Sequence, residues 1–237
     1  MPDLSPTIDG TLEDIHTDFS GVNIETIAED TAASVSLNNS TTTMKVQWVN
    51  TSNIAVQPAQ TVMEFDTSDI SDAPESATLK IYPESSQNSG VDFYVVRTFL
   101  TSDGSIVAGD NPSWTRSSAG GTPDVNNITK YSSEIDYSED ITEDELNSIT
   151  LNSTALSDMA SRDKFQISLV CDFLVDQSLG GVTDGITRKF TISSQDHSTT
   201  AQRPVLSYTE AATPRTQGNL HIVGGTHTII GSNIVIK

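Results

Sequence analysis

The chain has little of what catalytic and nucleic-acid-binding proteins commonly use. It carries a single cysteine, Cys171, in 237 residues, so an intrachain disulfide and a Cys-based zinc site are both excluded. That thiol lies inside the apolar run Phe165-Gln-Ile-Ser-Leu-Val-Cys-Asp-Phe-Leu-Val175, where a buried, inert cysteine is expected. Positive charge is scarce. Only 12 Lys and Arg stand against 32 Asp and Glu, a formal net charge of −20 at pH 7. Such a surface repels phosphate backbones, so no nucleic acid partner is expected. No apolar run approaches the roughly 18–20 residues of a membrane-crossing helix, so no membrane partner is expected either. The first residues, Met1-Pro-Asp-Leu-Ser-Pro6, have neither the basic nor the apolar segment of a secretory signal peptide. The expectation is a protein made in a host cytoplasm that stays there or leaves inside something larger, such as a virion.

Catalytic signatures are missing too. There is no HExxH, no phosphate loop and no nucleophile-elbow spacing. The four histidines, His16, His197, His221 and His227, are scattered along the chain. No enzyme is expected.

What the sequence does contain is short stretches of alternating hydrophobicity separated by Ser, Thr, Asn, Asp and Gly. Met44–Val49, Thr61–Asp66, Ala77–Tyr82 and Thr187–Ile192 alternate at the period-two spacing of half-buried strands. Ala33–Leu37 predicts a short strand, and Arg203–Thr209 a closing one. Val91–Leu100 predicts a long strand with Val91, Phe93 and Val95 on one face and Tyr94, Val96 and Thr98 on the other. Lys164–Val175 is the most hydrophobic strand. Pro83 is expected to end the third strand, with 84–90 as a polar turn. Asp140–Asn147 carries helix-start signals, Thr142 as N-cap and Glu145 at the capping-box position. A second short turn is expected within 151–159, capped by Ser153 or Thr154. Core candidates are Phe65, Leu79, Ile81, Val95, Ile167, Leu169, Phe190, Ile192 and Leu206.

Many short strands with turns between them predict an all-β protein, a jelly-roll β-sandwich with an extended β C-terminal arm. The expected organisation is an N-terminal extension with the first strands over 1–40, the sandwich over 41–210, a linker over 211–217 and the arm over 218–237.

The series Val62-Met-Glu-Phe-Asp-Thr-Ser-Asp-Ile70, Ser76-Ala-Thr-Leu-Lys-Ile-Tyr82, Val91-Asp-Phe-Tyr-Val-Val96, a Trp loop, Phe190-Thr-Ile-Ser-Ser194 and Arg203-Pro-Val-Leu-Ser-Tyr208 resembles the DNRLRE domain. That group is related to the disaggregatase-repeat and family-96 carbohydrate-binding modules. The resemblance covers roughly residues 40–209 and implies a jelly-roll sandwich and a carbohydrate ligand. The chain departs from it in having only Trp114 of the usual paired tryptophan segments, and Ser194-Gln-Asp-His197 where a Ser-Glu is usual.

Two ligand sites are candidates. A sugar platform needs exposed aromatic faces, and Trp114, Tyr131 and Tyr137 are the residues for it. Aromatics make up only 6% of the chain, so few rings can be spared from the core. Asp66, Asp69 and Asp72 surround one turn and offer hard oxygens that suit Ca²⁺; the competing reading is Asp as a turn former. No cofactor other than Ca²⁺ is expected.

The strip Gly218–Lys237 is β-branched, nearly uncharged and punctuated by glycine. Ile222, Ile229 and Ile236 recur at intervals of seven, as do Val223 and Ile230. An exposed apolar β segment is a template for pairing with another chain. Ile222, Val223, Ile229, Ile230, Ile234 and Ile236 are therefore the assembly candidates. Acidity, the missing signal and active site, and this strip together suggest a non-enzymatic structural protein of a tailed-phage virion: a capsid decoration protein, head fibre or tail component. A homo-oligomer is expected, with a trimer favoured, alongside other virion proteins. The alternative is a carbohydrate-binding module that attaches to host polysaccharide.

Overall fold

The structure, a computed structural model, describes residues 2–13, 36–38, 43–51, 55–56, 58–88, 90–101, 105–107, 110, 113–177 and 187–212. Its strands are β1 (Asp3–Leu4), β2 (Ile8–Glu13), β3 (Ser36–Asn38), β4 (Thr43–Thr51), β5 (Ala55–Val56), β6 (Ala59–Asp66), β7 (Ser76–Ile81), β8 (Pro83–Gln87), β9 (Phe93–Arg97), β10 (Asn147–Thr150), β11 (Lys164–Cys171), β12 (Thr187–Ser193) and β13 (Val205–Thr209). Three short helices, α1 (Tyr137–Asp140), α2 (Ser153–Ser161) and α3 (Asp172–Val175), sit between them.

The strands form two antiparallel sheets, and the protein is an all-β, jelly-roll-like sandwich. The smaller sheet runs β1-β13-β7-β10. In the larger, β6 lies between β2 and β11, β9 pairs with the far side of β11, and β12 lies between β4 and β8. A single pair, Gln47↔Ala59, links β4 to β6.

Alternation explains the core. In β7, Ala77, Leu79 and Ile81 are buried while Ser76, Thr78 and Lys80 are not, so one face points inward. Those side chains meet Met63 and Phe65 of β6, Phe93 and Val95 of β9, Phe165, Ile167 and Leu169 of β11, and Phe190 and Ile192 of β12 in one cluster. Every residue expected in the core is 0% exposed. The larger sheet is also covered on its outer face. There Val62 joins Ile8, Leu12, Leu100 and Ile106 in a second, smaller cluster. Glu64 lies on that same face, 3% exposed, where it accepts hydrogen bonds from Gln166 Nε2 (2.6 Å) and Thr7 Oγ1 (3.3 Å).

Several local expectations need correction. Residues 3–13 are integral to the sandwich. β1 pairs with β13 (Leu4↔Leu206), and β2 runs along β6 from Ile8↔Glu64 to Glu13↔Ala59. Pro83 opens a strand, β8, at a sheet edge where its missing N–H costs nothing. The 164–175 strand stops at Cys171, and α3 follows. Thr142 caps no helix. Asp136 caps α1, its Oδ1 accepting from the N–H groups of Ser138 and Glu139. The 142–147 segment is a turn in which the Asn147 side chain binds Thr142 N–H, Thr142 O and Glu145 O. Asp144 takes φ 59° within it. The second helix is longer than expected, and its cap is Asn152.

Candidate functional site

The aromatic candidates face inward. Trp114, in a 3₁₀ turn over Ser113–Thr115, is 2% exposed, Tyr131 0% and Tyr137 4%. Tyr131 stacks on Phe165 with centroids 5.3 Å apart and donates its hydroxyl hydrogen bond to Asp158. Tyr137 packs on Phe190 at 4.7 Å and reaches Glu143 with its hydroxyl. Burial and the neighbouring carboxylates raise both phenols above their ordinary range. None of the three offers a ring face to a sugar, and the reason is compositional: a chain this poor in aromatics places its rings in the core.

Asp66, Asp69 and Asp72 do not converge. Asp66 Oδ1 accepts from the backbone N–H (3.0 Å) and hydroxyl (2.7 Å) of Ser68. Those bonds hold its carboxyl below the usual range and close an Asx turn. Asp69 and Asp72 line a shallow cavity of about 240 Å³ with Ile70, Pro74 and Tyr208. Turn formation accounts for Asp66.

Among the described residues, the acidic side chains that do converge are Asp92, Glu134 and Asp172, whose oxygens lie within 4.8 Å of one another. Three separate segments place them. Asp92 immediately precedes β9, and its Oδ1 accepts from the Tyr137 N–H at 2.8 Å. Glu134 lies on the segment bridged to β9 at Phe93↔Ile135. Asp172 is the first residue of α3 and donates its N–H to the Asp92 carbonyl at 2.9 Å. Its Oδ1 is buried without a hydrogen-bond partner. Burial pushes the Asp172 carboxyl up to about 7; a hydrogen bond from Phe173 N–H opposes this, and the charges of Asp92, Glu134 and Asp176 add to it. Tyr94 bounds the group, its hydroxyl 2.8 Å from Glu134 Oε2 and 2.9 Å from Asp176 Oδ2. The ammonium of Lys130 is spent on Asp176 (2.5 Å) and on the Tyr94 ring, 3.9 Å from its centroid. A divalent cation among the described residues would find three oxygens here. Sequence spacing could not reveal the group, since its members are far apart in the chain. The one local signal is an aspartate interrupting the apolar run 165–175.

Glu134 also borders a second opening. A cavity of about 250 Å³ separates β10 from the segment beside β9, with Ser148, Ile149 and Thr150 on one wall and Ile135 and Ile141 among the others.

The assembly candidates Ile222, Val223, Ile229, Ile230, Ile234 and Ile236 lie outside the described residues. No helix of the described residues is long and apolar enough to cross a membrane. The chain matches no protein-family model, and no curated protein matches it significantly.

Proposed function

We propose that this chain is a non-enzymatic structural protein of a tailed-phage particle, a capsid decoration, head fibre or tail component, and that its arm joins copies into a trimer. One observation carries the reading. β13 is seated between β1 and β7 and ends at Thr209, so the sandwich is closed before the apolar strip 218–237 begins. The strip is surplus to the core, and Ile and Val in such a strip gain most by burial against another chain. The acidic body, carrying every one of the 32 Asp and Glu, supplies a soluble outer surface. Attachment to host polysaccharide has no aromatic platform at Trp114, Tyr131 or Tyr137, since all three are buried.

Light scattering tests the reading, on the full chain beside a chain ending at Ala212. The full chain is expected as an oligomer and the shortened one as a folded monomer. Two monomers of unchanged fold would count against it.

A further inference from the structure

We infer that the pocket beside the end of β13 is a site for a guanidinium group, such as an arginine side chain, held by the carboxylates of Asp69, Asp72 and Glu210 and by the Tyr208 hydroxyl. The site lies in the sandwich body and stands whether or not copies assemble.

Two elements build the pocket. Tyr208 follows Leu206 on the inner face of β13 and pairs with Ala77 of β7. It is 8% exposed and packs in the core cluster with Ile70. The facing wall is the turn after β6. There the Ile70 N–H donates to the Thr67 carbonyl at 2.9 Å. Ile70 is held inward, while Asp69 and Asp72 stand exposed. The Glu75 N–H donates to the Thr209 carbonyl at 2.9 Å and ties the two elements together. Glu210 comes next along the chain. The enclosed cavity is about 240 Å³, with Pro74 on its wall.

Tyr208 is the residue that asks for a ligand. Its ring is buried like those of Tyr94, Tyr131 and Tyr137, and each of those three places its hydroxyl on a carboxylate. Tyr208 lines the cavity and pairs with no described residue through its hydroxyl. Burial, then the charges of Glu210 and Asp69, hold its phenol above the ordinary range, yet neither carboxylate accepts from it.

Charge and spacing name the ligand. The described lining carries three carboxylates and no Lys, Arg or His. Thr67 bonds the Arg162 carbonyl, which brings Arg162 and Lys164 beside the same turn, but both are paired elsewhere. Arg162 Nε lies 3.6 Å from Asp158 and Lys164 Nζ 3.6 Å from Glu64. A metal ion fits poorly. Among the described residues, the acidic oxygens that close to within 4.8 Å of one another belong to Asp92, Glu134 and Asp172. Those of Asp69, Asp72 and Glu210 are spread more widely than one Ca²⁺ gathers, with its oxygens at about 2.3–2.6 Å. An ammonium is a compact point charge. A guanidinium spreads five N–H donors over a plane and forks onto carboxylates, so it reaches separated carboxylates and still donates to a phenol oxygen.

Titration of the ¹⁵N-labelled full chain with N-acetylarginine amide, followed by amide NMR shifts, tests the inference. Saturable shifts are expected at Asp69–Asp72 and Tyr208–Ala211, with a Kd about fivefold or more below that of N-acetyllysine amide or CaCl₂ at the same amides. Tyr208→Phe keeps the ring, and Glu210→Gln keeps the shape. Each is expected to raise the Kd about threefold or more, with the rest of the spectrum unchanged. No saturable shift, equal affinity for the two amides, tighter binding of Ca²⁺, or parental affinity in Tyr208→Phe would each overturn the site. The same titration of Arg215→Gln separates the sources of the group. Equal affinity in both chains makes the guanidinium an outside one. Affinity about threefold or more higher in the variant makes it the chain's own Arg215. Either result upholds the site, and binding in neither chain removes it.

Discussion

Asp172 donates its backbone N–H to the carbonyl of Asp92 at 2.9 Å, and this bond sets two acidic side chains beside each other where β11 gives way to α3. The Asp172 carboxyl is pushed up to about 7 from an ordinary 3.8. The folded chain therefore holds this proton more tightly than the unfolded one. Between about pH 4 and 7 the unfolded state binds fewer protons, so stability falls as pH rises through that window. Asp9, raised to about 6 chiefly by burial, acts in the same direction. Asp172→Asn removes the charge and keeps the shape. Its Tm is expected to exceed the parent's only slightly at pH 4 and by several degrees at pH 8, at about 2–4 °C per kcal/mol for a chain of this size. Thermal melts at the two pH values check this; an equal shift at both would contradict it.

Trp114 and Tyr131 are core residues here. Trp114→Ala and Tyr131→Ala are each expected to cost about 3–5 kcal/mol, as truncation of a buried ring does. Tyr131→Phe loses the bond to Asp158 and is expected to cost about 1–2 kcal/mol. Urea unfolding gives these values. A variant at Trp114 with full stability and lost polysaccharide binding would restore that residue to a ligand site.

Gly90 holds φ +73°, and a Cβ built on it falls 2.3 Å from the Tyr137 ring. That ring packs on Phe190 in the core and cannot swing aside freely. Gly90→Ala combines a left-handed backbone penalty of about 1–2 kcal/mol with overpacking of about 1–3 kcal/mol. A loss of about 2–5 kcal/mol in chemical unfolding is expected, larger than most surface substitutions give.

Asp66 serves its turn. Asp66→Ala removes two hydrogen bonds from Ser68 and is expected to lower stability only slightly, because both bonds are solvent-exposed. The loss should be the same in chelator and in millimolar Ca²⁺. A loss seen only with Ca²⁺ present would make Asp66 a ligand.

The sandwich core was legible because β6, β7, β11 and β12 put apolar side chains at alternate positions, and a period of two has one structural meaning. β2 was not legible. Its buried positions include Asp9 and Thr11, 3% and 2% exposed, where the Gln195 N–H satisfies Asp9 at 2.6 Å. Tertiary pairing with β6 overrides the local polarity. The 142–145 helix signal misled because Thr and Glu at capping spacing fit a turn as well, and the Asn147 side chain closes that turn. The carboxylate group was invisible for a different reason. Asp92, Glu134 and Asp172 become neighbours only once β9 lies beside β11, and no local spacing encodes that. The groove beside β10 depends in the same way on which strand ends the smaller sheet.

Native mass spectrometry of the full chain, beside Ile222→Asp/Ile229→Asp/Ile236→Asp, tests the central claim most directly. Three copies of 25.4 kDa are expected for the parent, and a single copy with an unchanged β-sheet circular dichroism spectrum for the variant. A parent at the mass of one copy, or a variant that assembles as the parent does, would contradict it.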